Sequence, residues 1–188
     1  MKTTSIAFIA AAFSSLAAAS PIDSRGSKWA EWDNSPFYFT SVYKVVATPD
    51  QVINGTTVTP GEPGAIGYYN YGINSELNVI CYNITLKGVT GDYQSPARTA
   101  THIHQAAKGA SGPPRIAFPN PSPVSNDPKV VRRSVGCLTG PFLTGVLSNG
   151  VDTGTGFTVK QIEDNPAGFF TDSHTVKYVP GVVRGQLA

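Results

Sequence analysis

The chain has 188 residues, with 14 Lys and Arg against 12 Asp and Glu and a formal net charge of +2. So small an imbalance offers no electrostatic footprint for nucleic acid or an anionic membrane surface. The 19 Gly and 15 Pro, with aromatic and β-branched residues between them, point to many short strands punctuated by turns.

The first segment, MKTTSIAFIAAAFSSLAAAS, has a lone positive charge at Lys2, an apolar run from Ile6 to Phe13 and small residues ending in Ala17-Ala18-Ala19. That is the pattern of a secretory signal peptide over residues 1–19, with cleavage expected after Ala19 or Ser20. The apolar run is too short for a membrane anchor. No later stretch is long enough to span a bilayer, and VVRGQLA at the C-terminus lacks the hydrophobic tail of a lipid-anchor signal. Residues 20–36 read as a poorly ordered arm, although Trp29 and Trp32 could dock.

From residue 37 onward the chain reads as one all-β domain. FYFTSVYKVVATP is the first strand, stopped at Pro49. GAIGYYNYG follows, and ELNVICYNITLKG alternates Leu77, Val79 and Cys81 with Asn78, Ile80 and Tyr82 on two faces. RTATHIHQA and RIAF are the next strands. The run PNPSPVSNDP over residues 119–128 holds four prolines and reads as an exposed loop outside any ladder. KVVRRSVGCLTG resumes the sheet, and its Arg132-Arg133 pair reads as solvated residues or, alternatively, a processing site. GFTVKQIEDNP is the one helix candidate, with Phe157, Val159 and Ile162 on a shared face and Asn165-Pro166 as its stop. GFFTDSHTVKYVPG and VVRGQL close the chain as two strands joined at Pro180-Gly181.

Cys81 and Cys137 are the two cysteines, and in an oxidising secretory route a disulfide is the default. It closes a loop of about 56 residues, worth roughly 4 kcal/mol by chain entropy. Two free buried thiols are the alternative. Asn54-Gly55-Thr56 and Asn83-Ile84-Thr85 are N-glycosylation acceptors, which requires both asparagines to face the surface.

Two of the three histidines stand one residue apart in THIHQ. In a strand, residues i and i+2 share a face, so His102 and His104 form a two-point grip suited to zinc or copper. His174, on the late strand, is the third candidate ligand, with solvent or Asp172 as a fourth. The alternative is three hydrogen-bonded structural histidines. No G-x-S-x-G elbow or H-E-x-x-H helix is present, and no carboxylate pair stands out. Ser173 and His174, adjacent in a strand, point to opposite faces and cannot act as nucleophile and base. Arg184 reads as the anchor of a turn or of a buried carboxylate.

THIHQAAKGASGPP resembles the His-Ile-His segment of CHRD domains, the unit repeated in chordin, where a glycine-rich turn and Gly-Pro follow the pair. SHTVKYVPGVVRGQL is similar to the family's C-terminal signature, in which His-Thr precedes a Pro/Gly turn and Arg-Gly-Gln-Leu. The resemblance runs from Val42 to Leu187. Val182-Val183 depart from it, standing where an acidic residue often precedes Ile-Arg-Gly, and the proline-rich loop resembles an insertion. The single-domain form is similar to secreted fungal and bacterial members. The resemblance implies an immunoglobulin-like antiparallel sandwich or barrel with one short helix, loosely comparable to copper/zinc superoxide dismutase. A dinuclear centre of that kind, with six histidines and an aspartate, is excluded by ligand count. The expectation is a secreted protein with no identifiable enzymatic activity and a binding or structural role toward an unidentified extracellular or cell-surface ligand. The alternative is a mononuclear copper or zinc protein using His102, His104 and His174.

Overall fold

The computed structural model describes residues 38–127 and 131–188; the expected signal peptide and arm lie outside them. The strands in chain order are β1 Ser41–Ala47, β2 Ile53–Asn54, β3 Thr57–Val58, β4 Ile66–Asn74, β5 Val79–Lys87, β6 Thr101–Gln105, β7 Pro114–Phe118, β8 Ser122–Pro123, β9 Val131–Thr139, β10 Leu147–Ser148, β11 Val151–Asp152, β12 Phe169–Ser173 and β13 Val183–Gln186. The helix candidate forms one short helix, α1 Lys160–Asp164.

Two antiparallel sheets face each other. One has five strands in the order β1-β4-β5-β9-β8, the other four in the order β13-β12-β6-β7. Both sheets are open, so of the expected alternatives the architecture is the sandwich and not the closed barrel. Along one edge β1 meets β13, where Thr48 and Arg184 exchange backbone hydrogen bonds of 2.9 and 3.1 Å. Gly185 is required at this crossing, because a Cβ there would stand 2.5 Å from Val45 Cγ1 and 2.9 Å from Val46 O.

Strand alternation supplies the core. Tyr69, Tyr71 and Ile73 of β4 and Ile80, Tyr82, Ile84 and Leu86 of β5 are buried against Ile103, Ile116, Phe118 and Phe169 of the smaller sheet. Phe157, Val159 and Ile162 close one end of this core, as their shared face predicts, although Phe157 and Val159 precede the helix rather than lie in it.

Buried tyrosines also bridge the sheets through hydroxyls. Tyr69 Oη lies 2.8 Å from Ser173 Oγ, and Tyr71 Oη 2.7 Å from Thr171 Oγ1. Thr171 in turn donates to His102 O at 2.7 Å. These contacts fix β12 from inside by the two residues that flank Asp172.

The proline-rich segment differs from expectation. Ser122 and Pro123 pair with Arg133 and Arg132 as a two-residue edge strand. Proline is tolerated there because the face of β8 away from β9 needs no donor. Arg132 is not solvated either. It is buried, donates from Nη2 to Gly91 O and lies over the Tyr93 ring, whereas Arg133 is exposed. Both sit inside a paired strand, a poor substrate for a processing protease.

Cys81 and Cys137 are directly opposite in the β5–β9 ladder and form a disulfide with their Cα atoms 3.9 Å apart. The bridge lies on the outward face, since Tyr82 and Ile80 point to the core. Replacing both cysteines by alanine should lower the unfolding free energy by about 4 kcal/mol, the chain-entropy value for a loop of this size, as read from chemical denaturation midpoints. Tyr71→Phe should cost about 1 kcal/mol for one lost hydrogen bond while leaving the Thr171 bond to His102 O in place.

Candidate metal centre

The outward face of β6 and β12 gathers the polar residues. His102 is directly opposite Asp172 in the ladder and His104 directly opposite Phe170. His102 and Asp172 are buried even though they face away from the core. His174 differs from its expected place. β12 ends at Ser173, and His174 is the next residue, its backbone N–H donating at 2.8 Å to the carbonyl of Ala100, the residue before β6. The ring nevertheless turns to the same side as Asp172, with Nε2 3.1 Å from Oδ2.

Each ring is held by a carbonyl from a different turn. His102 Nε2 lies 2.6 Å from Thr99 O, His104 Nδ1 2.8 Å from Gly112 O, and His174 Nδ1 2.8 Å from Val179 O. A carbonyl only accepts, so each of these nitrogens carries the proton. In a neutral ring the other nitrogen is then a lone pair. Those three nitrogens all face one carboxylate. His102 Nδ1 and His104 Nε2 lie 3.5 and 3.3 Å from Asp172 Oδ1, and His174 Nε2 lies 3.1 Å from Asp172 Oδ2. His102 Nδ1, His104 Nε2 and Asp172 Oδ1 are buried without a hydrogen-bond partner.

The four candidate ligand atoms lie within 4.8 Å of one another. The nitrogen–oxygen separations fit a tetrahedral ion. Ligands 2.0–2.1 Å from a tetrahedral ion are about 3.3 Å from one another, close to the 3.1, 3.3 and 3.5 Å seen here.

The electrostatics are those of a coupled buried cluster. Burial works to raise the Asp172 pKa, but His104 and His174, with His102, more than offset it and hold the carboxyl well below its usual range. Burial pushes His102 down, and its bond to Asp172 compensates only in part. His174 is also pushed down by burial, yet the Asp172 charge overcomes this and raises it.

The terminal Arg-Gly-Gln segment builds the walls. Arg184, opposite Asp172 in the β12–β13 ladder, is buried and donates from Nη2 to Ala110 O at 2.7 Å. Gln186 Nε2 donates to Ala106 O at 2.9 Å. Both side chains clamp the turn that supplies Gly112 O to His104, so Arg184 anchors a turn, as its position suggests. Gly112 itself is needed for close approach, since a Cβ there would stand 2.0 Å from Gln105 O. Phe170 carries no chemical signal in the sequence, yet it stacks on His104 with centroids 4.8 Å apart and has the Arg184 guanidinium 3.5 Å from its ring centre. The strand alternation that places it on Asp172's face was the available clue. The glycosylation candidates are both at the surface, Asn54 exposed in the β2–β3 hairpin and Asn83 half-buried on the outward face of β5.

No helix among the described residues is long and apolar enough to cross a membrane. No curated protein and no solved structure matches the chain. The family model of the CHRD domain matches residues 43–187, nearly all of the described sandwich including both histidine segments, and the chain therefore belongs to the CHRD domain family.

Proposed function

We infer that this chain is a secreted CHRD-domain protein with a binding or structural role outside the cell, and that His102, His104, His174 and Asp172 hold one divalent metal ion. Secretion is supported by the signal-peptide pattern, the disulfide and the family. The metal reading rests on one observation: three rings with their protons committed to carbonyls aim their remaining nitrogens at a single buried carboxylate. If the rings are neutral, lone pairs face an anion. If all three are protonated, three cations surround one buried carboxylate, and the excess charge is costly to bury. A divalent cation among the four atoms removes both penalties. The carbonyls would then orient the ligands, as outer partners of metal-bound imidazoles do.

Three nitrogens and one oxygen suit zinc best, with copper the competitor. Four protein ligands fill the tetrahedron, which fits a structural role in tying β6, β12 and the turn after it together. A second reading is favoured by the 3.1 Å contact between His174 Nε2 and Asp172 Oδ2: a proton there, in place of a metal, makes a buried imidazolium–carboxylate pair.

Metal analysis of the purified native protein should find one zinc per chain, and His104→Ala should abolish uptake while the disulfide and the β-sheet circular dichroism persist. A metal-free protein whose melting temperature ignores added zinc and copper would leave only the second reading; a free metal concentration 100-fold above Kd is expected to add about 2.7 kcal/mol. Acid should release the ion, because protons compete for the ligand nitrogens. Burial pushes His174 down and the Asp172 charge outweighs it to raise its proton affinity, so affinity for the ion should weaken steadily as pH falls. A metal-binding titration across pH checks this.

A further inference from the structure

The outward face of the five-stranded sheet lies across the sandwich from the metal centre. The strand register sets its side chains in rows. One row runs Val42, Gly72, Cys81, Cys137, and the next Lys44, Asn70, Asn83, Val135. A groove of roughly 400 Å³ follows these rows. Phe39 forms part of its wall and lies over Gly72, where an added Cβ would come within 2.7 Å of the ring. Val42 and Val135 are 64% and 61% exposed. A contiguous apolar surface of this kind on a single domain normally has a cover.

In the groove lining stands Asn83, the first residue of Asn83-Ile84-Thr85. Asn83 and Thr85 alternate with the buried Ile84, so both face outward. Arg133 Nε donates to Asn83 Oδ1 at 3.2 Å, while Asn83 Nδ2 has no hydrogen-bond partner among the described residues. Nδ2 is the atom that N-glycosylation uses.

We propose that Asn83 carries an N-linked glycan and that its first sugars are the cover of this groove. The proposal rests on the secretory reading above. In the transfer, Asn83 Nδ2 loses a proton and bonds to the anomeric carbon of a lipid-diphosphate-linked oligosaccharide. The carbon–oxygen bond to the diphosphate breaks, and the lipid diphosphate leaves with the electron pair. Transfer precedes pairing of β5, since a strand flanked by β4 and β9 cannot enter a transferase extended. Once the sheet forms, the glycan is tethered inside the groove at high effective concentration. An N-acetylglucosamine ring offers an apolar C–H face and a methyl to Phe39, Val42 and Val135, and hydroxyls and an amide to Lys44 and Asn70. A second copy of the chain fits less well, because its own Lys44, Asn70 and Asn83 would be buried against the same residues.

Peptide mapping of the full chain secreted from a glycosylating eukaryotic host should find glycan on Asn83. Glycosidase removal from the folded wild-type protein, which bypasses any folding defect, should raise binding of an apolar fluorescent dye several-fold and promote self-association. Asn83→Gln should do the same, whereas Asn54→Gln should leave both readouts unchanged. A secreted protein glycosylated at Asn54 but bare at Asn83 would overturn the proposal and leave secretion standing. So would a glycan at Asn83 whose removal changes neither dye binding nor association. A chain retained in the cell with both sites bare would overturn the secretory reading together with it.

Discussion

Thr171-Asp172-Ser173 is the constraint on which the rest depends. Because strand side chains alternate, its two hydroxyls enter the core while its carboxylate leaves it. Inside, Tyr71 and Tyr69 of the opposite sheet hold Thr171 and Ser173. Outside, the Asp172 carboxylate meets three imidazoles. A shift of β12 by one residue would put a charge in the core and hydroxyls among the histidines. The register of this short strand thus carries both the coupling of the sheets and the chemistry of the site.

The histidines are oriented by backbone rather than by other side chains. Their three carbonyl partners come from the approach to β6, the glycine-rich turn before β7 and the turn before β13. The glycine-rich turn is itself fixed by Arg184 and Gln186. Such a site is preorganised, since each ring has one nitrogen already committed and little rotamer freedom left to lose. The same turns shield it from water, which strengthens every interaction of the buried carboxylate and makes its compensation obligatory.

The two outward faces of the sandwich are therefore unlike. The smaller sheet has its polar cluster roofed by turns. The larger sheet leaves a disulfide, valines and an acceptor asparagine toward solvent. The turns after β6 and β12 supply Gly112 O and Val179 O on the histidine side, and the long stretch between β1 and β4 reaches the same side, where Ser111 N–H donates to Gly55 O at 2.8 Å.

Much of this was legible from residue order. Period-two alternation marked the strands of the core, Asn165-Pro166 marked the end of the helix, and His102 and His104 had to share a face. The pairing of Cys81 with Cys137 followed from there being no other cysteine. Residue order could not set the position of His174, because it lies beyond the strand that was expected to carry it, and only the turn to Val179 aims its ring. Nor could it identify Asp172 as the hub of the cluster: one acid among 12 gains that role only when β12 pairs with β6. The buried Arg132, the pairing of Pro123 at an edge and the stacking of Phe170 on His104 belong to the same class. Alternation and composition are local properties and survive in the unfolded chain. Partners across strands far apart in sequence are chosen by register and loop closure, and those exist only in the assembled sandwich.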